Sequence, residues 1–237
     1  MAGRTVSGDR MRIIAGPEEC ILYFNGGIRQ PLQPLAFGTE HCPTVTVEGH
    51  MGPIIIIAVS AGGLSPLRRI IAALPATCAA SVLIVSHVGP NPSILPAILG
   101  MGGNLPVSHG EDGEPVEAGH VYVAPPDRHT YLDRGRIHLD HGAKVHHTRP
   151  AAGPLFISAA EVYGDHVLGI VLGGYGADGA EGSAIKEHGG VAIVQAPDEA
   201  EQPAMPWAAI LADYPDACLP VEKIAAGVAL FCAGDRP

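Results

Sequence analysis

The stretch IIIIAVSAGG, residues 54 to 63, decides the fold, because an uninterrupted apolar run ends abruptly at a serine and two glycines. Apolar residues without alternation, most of them β-branched, indicate a strand that is buried on both faces, as in a parallel sheet. The two glycines permit a tight turn after that strand. The segment beyond them has helical spacing, with Ser65 as a candidate N-cap. The sequence therefore predicts a strand that delivers Ser60 to the mouth of a helix.

Short strands and helices alternate beyond this unit, which is typical of a doubly wound α/β sheet. The predicted strands cover residues 54 to 59, 82 to 86, 121 to 124, 167 to 172 and 191 to 195. The predicted helices cover residues 65 to 73, 93 to 99, 154 to 163, 180 to 188, 205 to 213 and 221 to 232. Two extended runs between residues 130 and 139 predict an antiparallel β-hairpin at one edge. The predicted fold class is therefore α/β, a mostly parallel sheet with helices on both faces.

Residues 1 to 50 differ from the rest of the chain, because glycines and prolines interrupt each segment in which a strand or helix could begin. We predict that they form an irregular N-terminal extension. Residues 51 to 237 then form one domain, which is long enough to bury a single substantial core.

Composition limits the classes of partner. The net charge of -10, from 24 acidic and 14 basic residues, disfavours nucleic acid and anionic membranes, since both attract basic patches. No apolar run approaches the roughly 20 residues that span a bilayer, and the N-terminus has no uninterrupted signal-peptide core. The five cysteines are widely spaced and form no C-x-x-C pair, which indicates reduced thiols. We therefore expect a soluble cytoplasmic protein without membrane insertion.

Three polar side chains follow three predicted strands, at the edge where parallel sheets gather their functional groups. Ser60 ends one strand, His87 follows the next, and Asp178 lies in a glycine-rich loop after the strand at 167 to 172. A hydroxyl, an imidazole and a carboxylate could act there as nucleophile, general base and orienting anion. Each residue alone also fits a structural role, as a turn serine, a packed histidine and a helix-capping aspartate. Their joint placement is what favours catalysis.

Other chemistries fit the sequence less well. The order serine, histidine, aspartate differs from that of α/β-hydrolases, and the turn lacks the first glycine of their nucleophile elbow. Four histidines between residues 138 and 147 could bind a metal, but they lack metalloprotease spacing, so a solvated loop is favoured. A phosphate-binding role for the glycine turn stays open, although the chain has no G-x-x-x-x-G-K sequence.

Several blocks between residues 53 and 230 resemble, in the same order, the CheB catalytic domain of chemotaxis protein-glutamate methylesterases. The blocks are Ser60-Ala61-Gly62-Gly63, Val85-Ser86-His87, GEDG at 110 to 113, AGHVYVAPPDRH at 118 to 129, GYGADGA at 174 to 180, and Gln195 with Met205-Pro206. The segment from 118 to 129 is the most distinctive of them.

The resemblance implies hydrolysis of glutamyl γ-methyl esters on the cytoplasmic helices of methylated chemoreceptors, with deamidation of receptor glutamines as a further activity. It implies a catalytic triad of Ser60, His87 and Asp178, and an oxyanion hole or substrate-binding region that includes Ala61, Gly62, Tyr175 and Met205. It implies no metal or organic cofactor. The family's phosphorylatable receiver domain does not fit into residues 1 to 50, so control by phosphorylation would need a separate regulatory partner protein.

Three residues beside the implied triad depart from the family's usual pattern. Ala61 stands in place of a threonine, Ser86 in place of a glutamine, and Tyr175 in place of a methionine. The usual Arg-Pro-Ser-Val-Asp segment reads RPAAG at 149 to 153, without its polar groups. These departures support a second hypothesis, in which the chain is a weakly active or inactive CheB-like binding or scaffold module.

Overall fold

The computed structural model describes residues 11–15, 20–24, 52–87, 91–176, 182–213 and 215–232. The strands are β1 (Met11–Ala15), β2 (Cys20–Phe24), β3 (Ile54–Val59), β4 (Ser81–Ser86), β5 (Val107–His109), β6 (Val121–Val123), β7 (His129–Asp133), β8 (Arg136–Asp140), β9 (Val167–Val171), β10 (Val191–Gln195) and β11 (Ala217–Leu219). The helices are α1 (Leu64–Ala73), α2 (Leu95–Gly100), α3 (Ala152–Tyr163), α4 (Gly182–Glu187), α5 (Ala204–Asp213) and α6 (Val221–Cys232), with a 3-10 turn at Gly164–His166.

Seven strands form one sheet in the order β11-β10-β9-β3-β4-β6-β5, and every pair in it is parallel. The α/β fold class predicted from the sequence is thus confirmed. Strands β3 and β4 lie next to each other with β9 on the other side of β3, so three of the predicted functional strands are immediate neighbours. Their carboxyl ends lie at the same edge of the sheet.

The run of four isoleucines forms the centre of the sheet because both of its faces are covered. Residues 55, 57 and 59 of β3 belong to the core that includes α1, α2 and α6, whereas residues 54, 56 and 58 belong to the core with α3, α4 and α5. All six are at most 2% exposed. Burying one such aliphatic side chain contributes about 1.5–3 kcal/mol, so β3 is anchored firmly from both sides.

The structure differs from the sequence predictions at several places. Helix α1 begins at Leu64 after an N-cap at Gly63, so Ser65 lies inside the helix and does not cap it. The predicted hairpin, β7 with β8, forms its own two-stranded sheet and packs against α3. The segment that we predicted to be irregular contains β1 and β2, which pair antiparallel and avoid the glycines and prolines that follow them.

Two cysteines that lie 154 residues apart in the sequence meet in the structure. Cys78, before β4, and Cys232, at the end of α6, are buried and joined as a disulfide. The expectation of reduced thiols is therefore wrong for this pair, because sequence spacing does not reveal cysteines that meet through the tertiary fold. Cys218, on the edge strand β11, is an exposed free thiol. Within the described ranges, no helix is both long and apolar enough for a membrane span.

Candidate active site

Ser60 stands at the carboxyl end of the central strand, in the turn between β3 and α1. Its N–H donates to the C=O of Gly173 at 3.1 Å, and its own C=O accepts the N–H of Gly63 at 3.0 Å. The turn requires Gly62, whose φ of +81° lies in the left-handed region that glycine adopts without strain. Ser60 is therefore held by backbone bonds on both sides, while its side chain keeps part of its surface open to solvent.

His87 occupies the matching position on the neighbouring strand. The register pairs Val59 with Ser86, so Ser60 and His87 are the next residues along two adjacent parallel strands. The N–H of His87 donates to the C=O of Val59 at 3.4 Å, which continues the ladder to this point. Adjacent parallel strands lie about 4.8 Å apart, so the backbones of Ser60 and His87 lie next to each other at one edge of the sheet.

The loop that leaves β9 packs directly behind Ser60. A methyl group added to Gly174 would lie 2.4 Å from Cβ of Ser60 and 2.3 Å from Sδ of Met205, so only glycine allows this approach. Met205 is fully buried, and its N–H donates to the C=O of Gly174 at 2.9 Å. The predicted substrate-binding residue Met205 therefore packs against Gly174, the residue that approaches Ser60, whereas the Tyr175 side chain is 59% exposed.

The third member of the predicted triad, Asp178, lies in the segment 177–181, outside the described residues. The described chain continues to Gly176 on the loop that begins behind Ser60, and resumes at Gly182. Ser60 and His87 are thus brought together by the sheet, and the role of Asp178 stays a prediction.

Two backbone amides at this edge belong to the turns on either side of Ser60. The N–H groups of Ala61 and Tyr175 donate no hydrogen bond to any residue that the structure describes. Both belong to turns that flank Ser60, one after β3 and the other after β9. Unpaired N–H groups in such positions are the donors from which oxyanion holes are built.

A segment without any predicted site residue packs against the turn after Ser60. The side chains of Glu201 and Gln202 lie against Gly62, with Cβ of Glu201 3.1 Å from the position of an added methyl group. The C=O of Gln202 also accepts the N–H of Gly174 at 2.8 Å. No sequence pattern indicates these contacts, because residues 201 and 62 are brought together only by the tertiary fold.

An ion pair and hydrogen bonds hold the histidine-rich segment that follows β8. Asp127 accepts hydrogen bonds from Nε of Arg149 at 2.9 Å and from Nη2 of the same guanidinium at 2.7 Å. Nε2 of His141 lies 2.8 Å from the other oxygen of this carboxylate. Hydrogen bonds from Arg149 and then His141 lower the pKa of Asp127 below its usual value. Among the residues placed in the structure, no three metal-binding side chains converge.

The chain is similar in sequence and in structure to known proteins. The family described as CheB methylesterase matches residues 55–228 of the chain. The crystal structure of the CheB methylesterase catalytic domain from Thermotoga maritima is similar to this one, with a TM-score of 0.72 and 33% sequence identity. The match covers 76% of this chain and 98% of that one.

Two relatives extend the comparison. A protein from Leptospira interrogans, whose name provisionally assigns protein-glutamate methylesterase and protein-glutamine glutaminase activities, is 38% identical over 72% of this chain and 90% of its own length. A Caulobacter vibrioides protein named for the same two activities is 39% identical over 73% of this chain, which spans 52% of that relative.

Proposed function

The chain belongs to the CheB methylesterase family, and on that premise we propose that it hydrolyses γ-methyl esters of glutamate side chains in proteins. One observation of this structure carries the proposal: Ser60 and His87 follow directly on paired residues of adjacent strands. A hydroxyl nucleophile and its base need this proximity. The methylated substrates that we propose are the cytoplasmic helices of chemoreceptors.

In the proposed reaction His87 takes the proton of Ser60 as the hydroxyl oxygen attacks the ester carbonyl carbon. The tetrahedral oxyanion is bound by the amides of Ala61 and Tyr175, and His87 returns the proton to the methoxy group, so that methanol leaves. Water, deprotonated by the same imidazole, then cleaves the acyl-enzyme and regenerates the hydroxyl. Asp178 is the proposed anion that orients and stabilises the imidazolium.

The same steps also fit a glutamine side chain. If the carbonyl carbon bears an amide instead of an ester, the departing group is ammonia, and the products are glutamate and free enzyme. We therefore include receptor glutamine deamidation in the proposed function, in line with the second activity in the names of the relatives. None of these steps requires a metal ion or an organic cofactor.

Methanol release from a methylated chemoreceptor fragment tests the proposal. Ser60→Ala removes the nucleophile and is expected to lower kcat by at least about 10⁴-fold, as losses of triad serines do. Ser65→Ala is the matched control, because this exposed serine lies five residues further on and caps no helix. We expect the control to keep the rate of the unmodified protein.

Two results would contradict the proposal. Equal methanol release by the unmodified chain and Ser60→Ala would remove Ser60 as the nucleophile. Saturable binding of the methylated fragment without any methanol or ammonia release would instead favour the scaffold hypothesis, to which the departures at Ala61, Ser86 and Tyr175 lend support. Ser86 is the last residue of β4 and directly precedes the proposed base.

A further inference from the structure

A glutamine side chain ends strand β10 in the interior of the protein. Gln195 is fully buried, and its Oε1 accepts the N–H of Gly173 at 2.8 Å. Its Nε2 has no hydrogen-bond partner among the described residues. The orientation of the amide follows from chemistry, since only its oxygen can accept from a backbone N–H.

This side chain replaces a backbone bond that the sheet does not supply. The β9–β10 pairing ends with Val194 beside Val171, and the N–H of Ala196 then donates to Leu219 on β11. Strand β10 therefore pairs with its other neighbour at this point, and its backbone does not serve Gly173. The side chain of Gln195 extends the hydrogen bonding by one step toward the active-site edge.

Gly173 connects Gln195 to Ser60 through its two backbone hydrogen bonds. Its N–H is held by Gln195, and its C=O accepts the N–H of Ser60 at 3.1 Å. The next residue, Gly174, packs against Cβ of Ser60. A chain of hydrogen bonds over three residues thus runs from the end of β10, through the loop after β9, to the proposed nucleophile in the turn after β3.

The unpaired Nε2 indicates why an amide is present. Burying an N–H group without a partner costs free energy, and an apolar side chain of similar size would avoid that cost. Methionine would fill the same volume but would leave Gly173 without its acceptor. The structure therefore keeps the carbonyl oxygen despite an unused amino group, which fits a requirement at the active site better than one of core packing.

We propose that Gln195 is a positioning residue, which fixes the Gly173–Gly174 turn and through it the attack geometry of Ser60. The inference rests on the proposed function, because it assigns Ser60 as the nucleophile. It concerns the chemical step and leaves substrate docking to other residues.

Gln195→Met and Gln195→Glu test the inference in the full chain. Methionine removes the acceptor, whereas glutamate keeps an oxygen at the same reach. We expect Gln195→Met to lower kcat for methanol release about 10- to 100-fold, with KM within about twofold, since a displacement near 1 Å can cost about 100-fold. Gln195→Glu is expected to recover most of that loss.

The rate of Ser60 modification by a fluorophosphonate separates this inference from the proposed function. That reagent forms a phosphorus–oxygen bond at an activated serine and releases fluoride, without any receptor. We expect its rate at Ser60, measured by mass spectrometry, to fall in Gln195→Met by the same factor as kcat. A chain that shows normal Ser60 modification but no methanol release would refute the proposed substrate and still test Gln195.

Thr130→Val is the matched control, because Thr130 holds the other buried unpaired polar atom of the described residues and lies on β7. It is expected to leave both rates unchanged. The inference is overturned if folded Gln195→Met reacts within about twofold of the unmodified chain, or if methionine and glutamate are equally slow. If Gln195→Met does not fold, Gln195→Glu decides alone: a near-normal rate supports the acceptor role and a slow rate refutes it.

Discussion

The close packing between the loop after β9 and Ser60 leads to a test with Gly174→Ala. The added methyl carbon would lie 2.4 Å from Cβ of Ser60 and 3.1 Å from its Cα. Unstrained carbon atoms are about 3.5–4.0 Å apart, so Ser60 or the loop must move by roughly 1 Å. The sulfur of Met205 lies 2.3 Å from the same position, so it limits how far the loop can move away from Ser60.

Gly174→Ala is expected to lower both the unfolding free energy and kcat, and to lower kcat more strongly. Overpacking of this kind costs about 1–3 kcal/mol of unfolding free energy, because buried Met205 can adjust only partly. Displacing Ser60 by about 1 Å is expected to lower kcat about 100-fold, which is far more than the loss of folded protein explains. Urea unfolding gives the first quantity, and methanol release per folded molecule gives the second.

Gly227→Ala supplies the control for a glycine-to-alanine change. A methyl group there meets no atom within 4 Å, and the residue lies inside helix α6. We expect this variant to gain about 0.5–1 kcal/mol from helix propensity and to keep its kcat. The reasoning is refuted if Gly174→Ala folds and turns over ester as fast as Gly227→Ala does.

Two further predictions concern stability. Asp127→Asn is expected to destabilise the protein at pH 7, because it removes the carboxylate that Arg149 and His141 hold. The folded-state pKa of Asp127 is lowered, so its contribution is present above the unfolded value of about 3.9 and is lost as pH falls through the folded value. Urea unfolding should show that the unfolding free energies of the variant and the unmodified chain become equal in acid. A difference between them that stays constant down to pH 2 would contradict this. Ala151→Ser should raise unfolding free energy by about 0.5–2 kcal/mol, because Ala151 is an extended N-cap of α3 without a side-chain bond; an unchanged urea midpoint would contradict that.

The centre of the fold could be predicted because its signal is local. The runs that form β3, β4, β9 and β10 are apolar, uninterrupted and bounded by turn residues, and these features follow from burial on both faces. The strands at the two edges, β5 and β11, were not predicted. Each is three residues long, too short for a periodic pattern, and each depends on a neighbour for its hydrogen bonds.

The site could be predicted only as far as strand ends determine it. Ser60 and His87 share an edge because adjacent parallel strands in register bring equivalent positions together, and the order of strands along the chain made that arrangement a reasonable expectation. The contacts around the turn after Ser60 could not be predicted in this way. Glu201 and Gln202 approach Gly62 from a loop about 140 residues away, and such contacts leave no periodic trace in the sequence.

The structure shows where two of the residues that depart from the family pattern lie. Ala61 replaces a hydroxyl on the exposed turn after Ser60, so the change alters the surface that a substrate meets and leaves the backbone bonds of Ser60 intact. Tyr175 is likewise exposed, whereas Gly173 bonds to the N–H of Ser60 and Gly174 packs against Ser60. Ser60 is thus positioned by backbone, by glycine and by the Gln195 side chain behind Gly173, whereas Ala61 and Tyr175 lie on the exposed surface. We therefore expect the changes at Ala61 and Tyr175 to affect which methylated helix is used more than how its ester is cleaved.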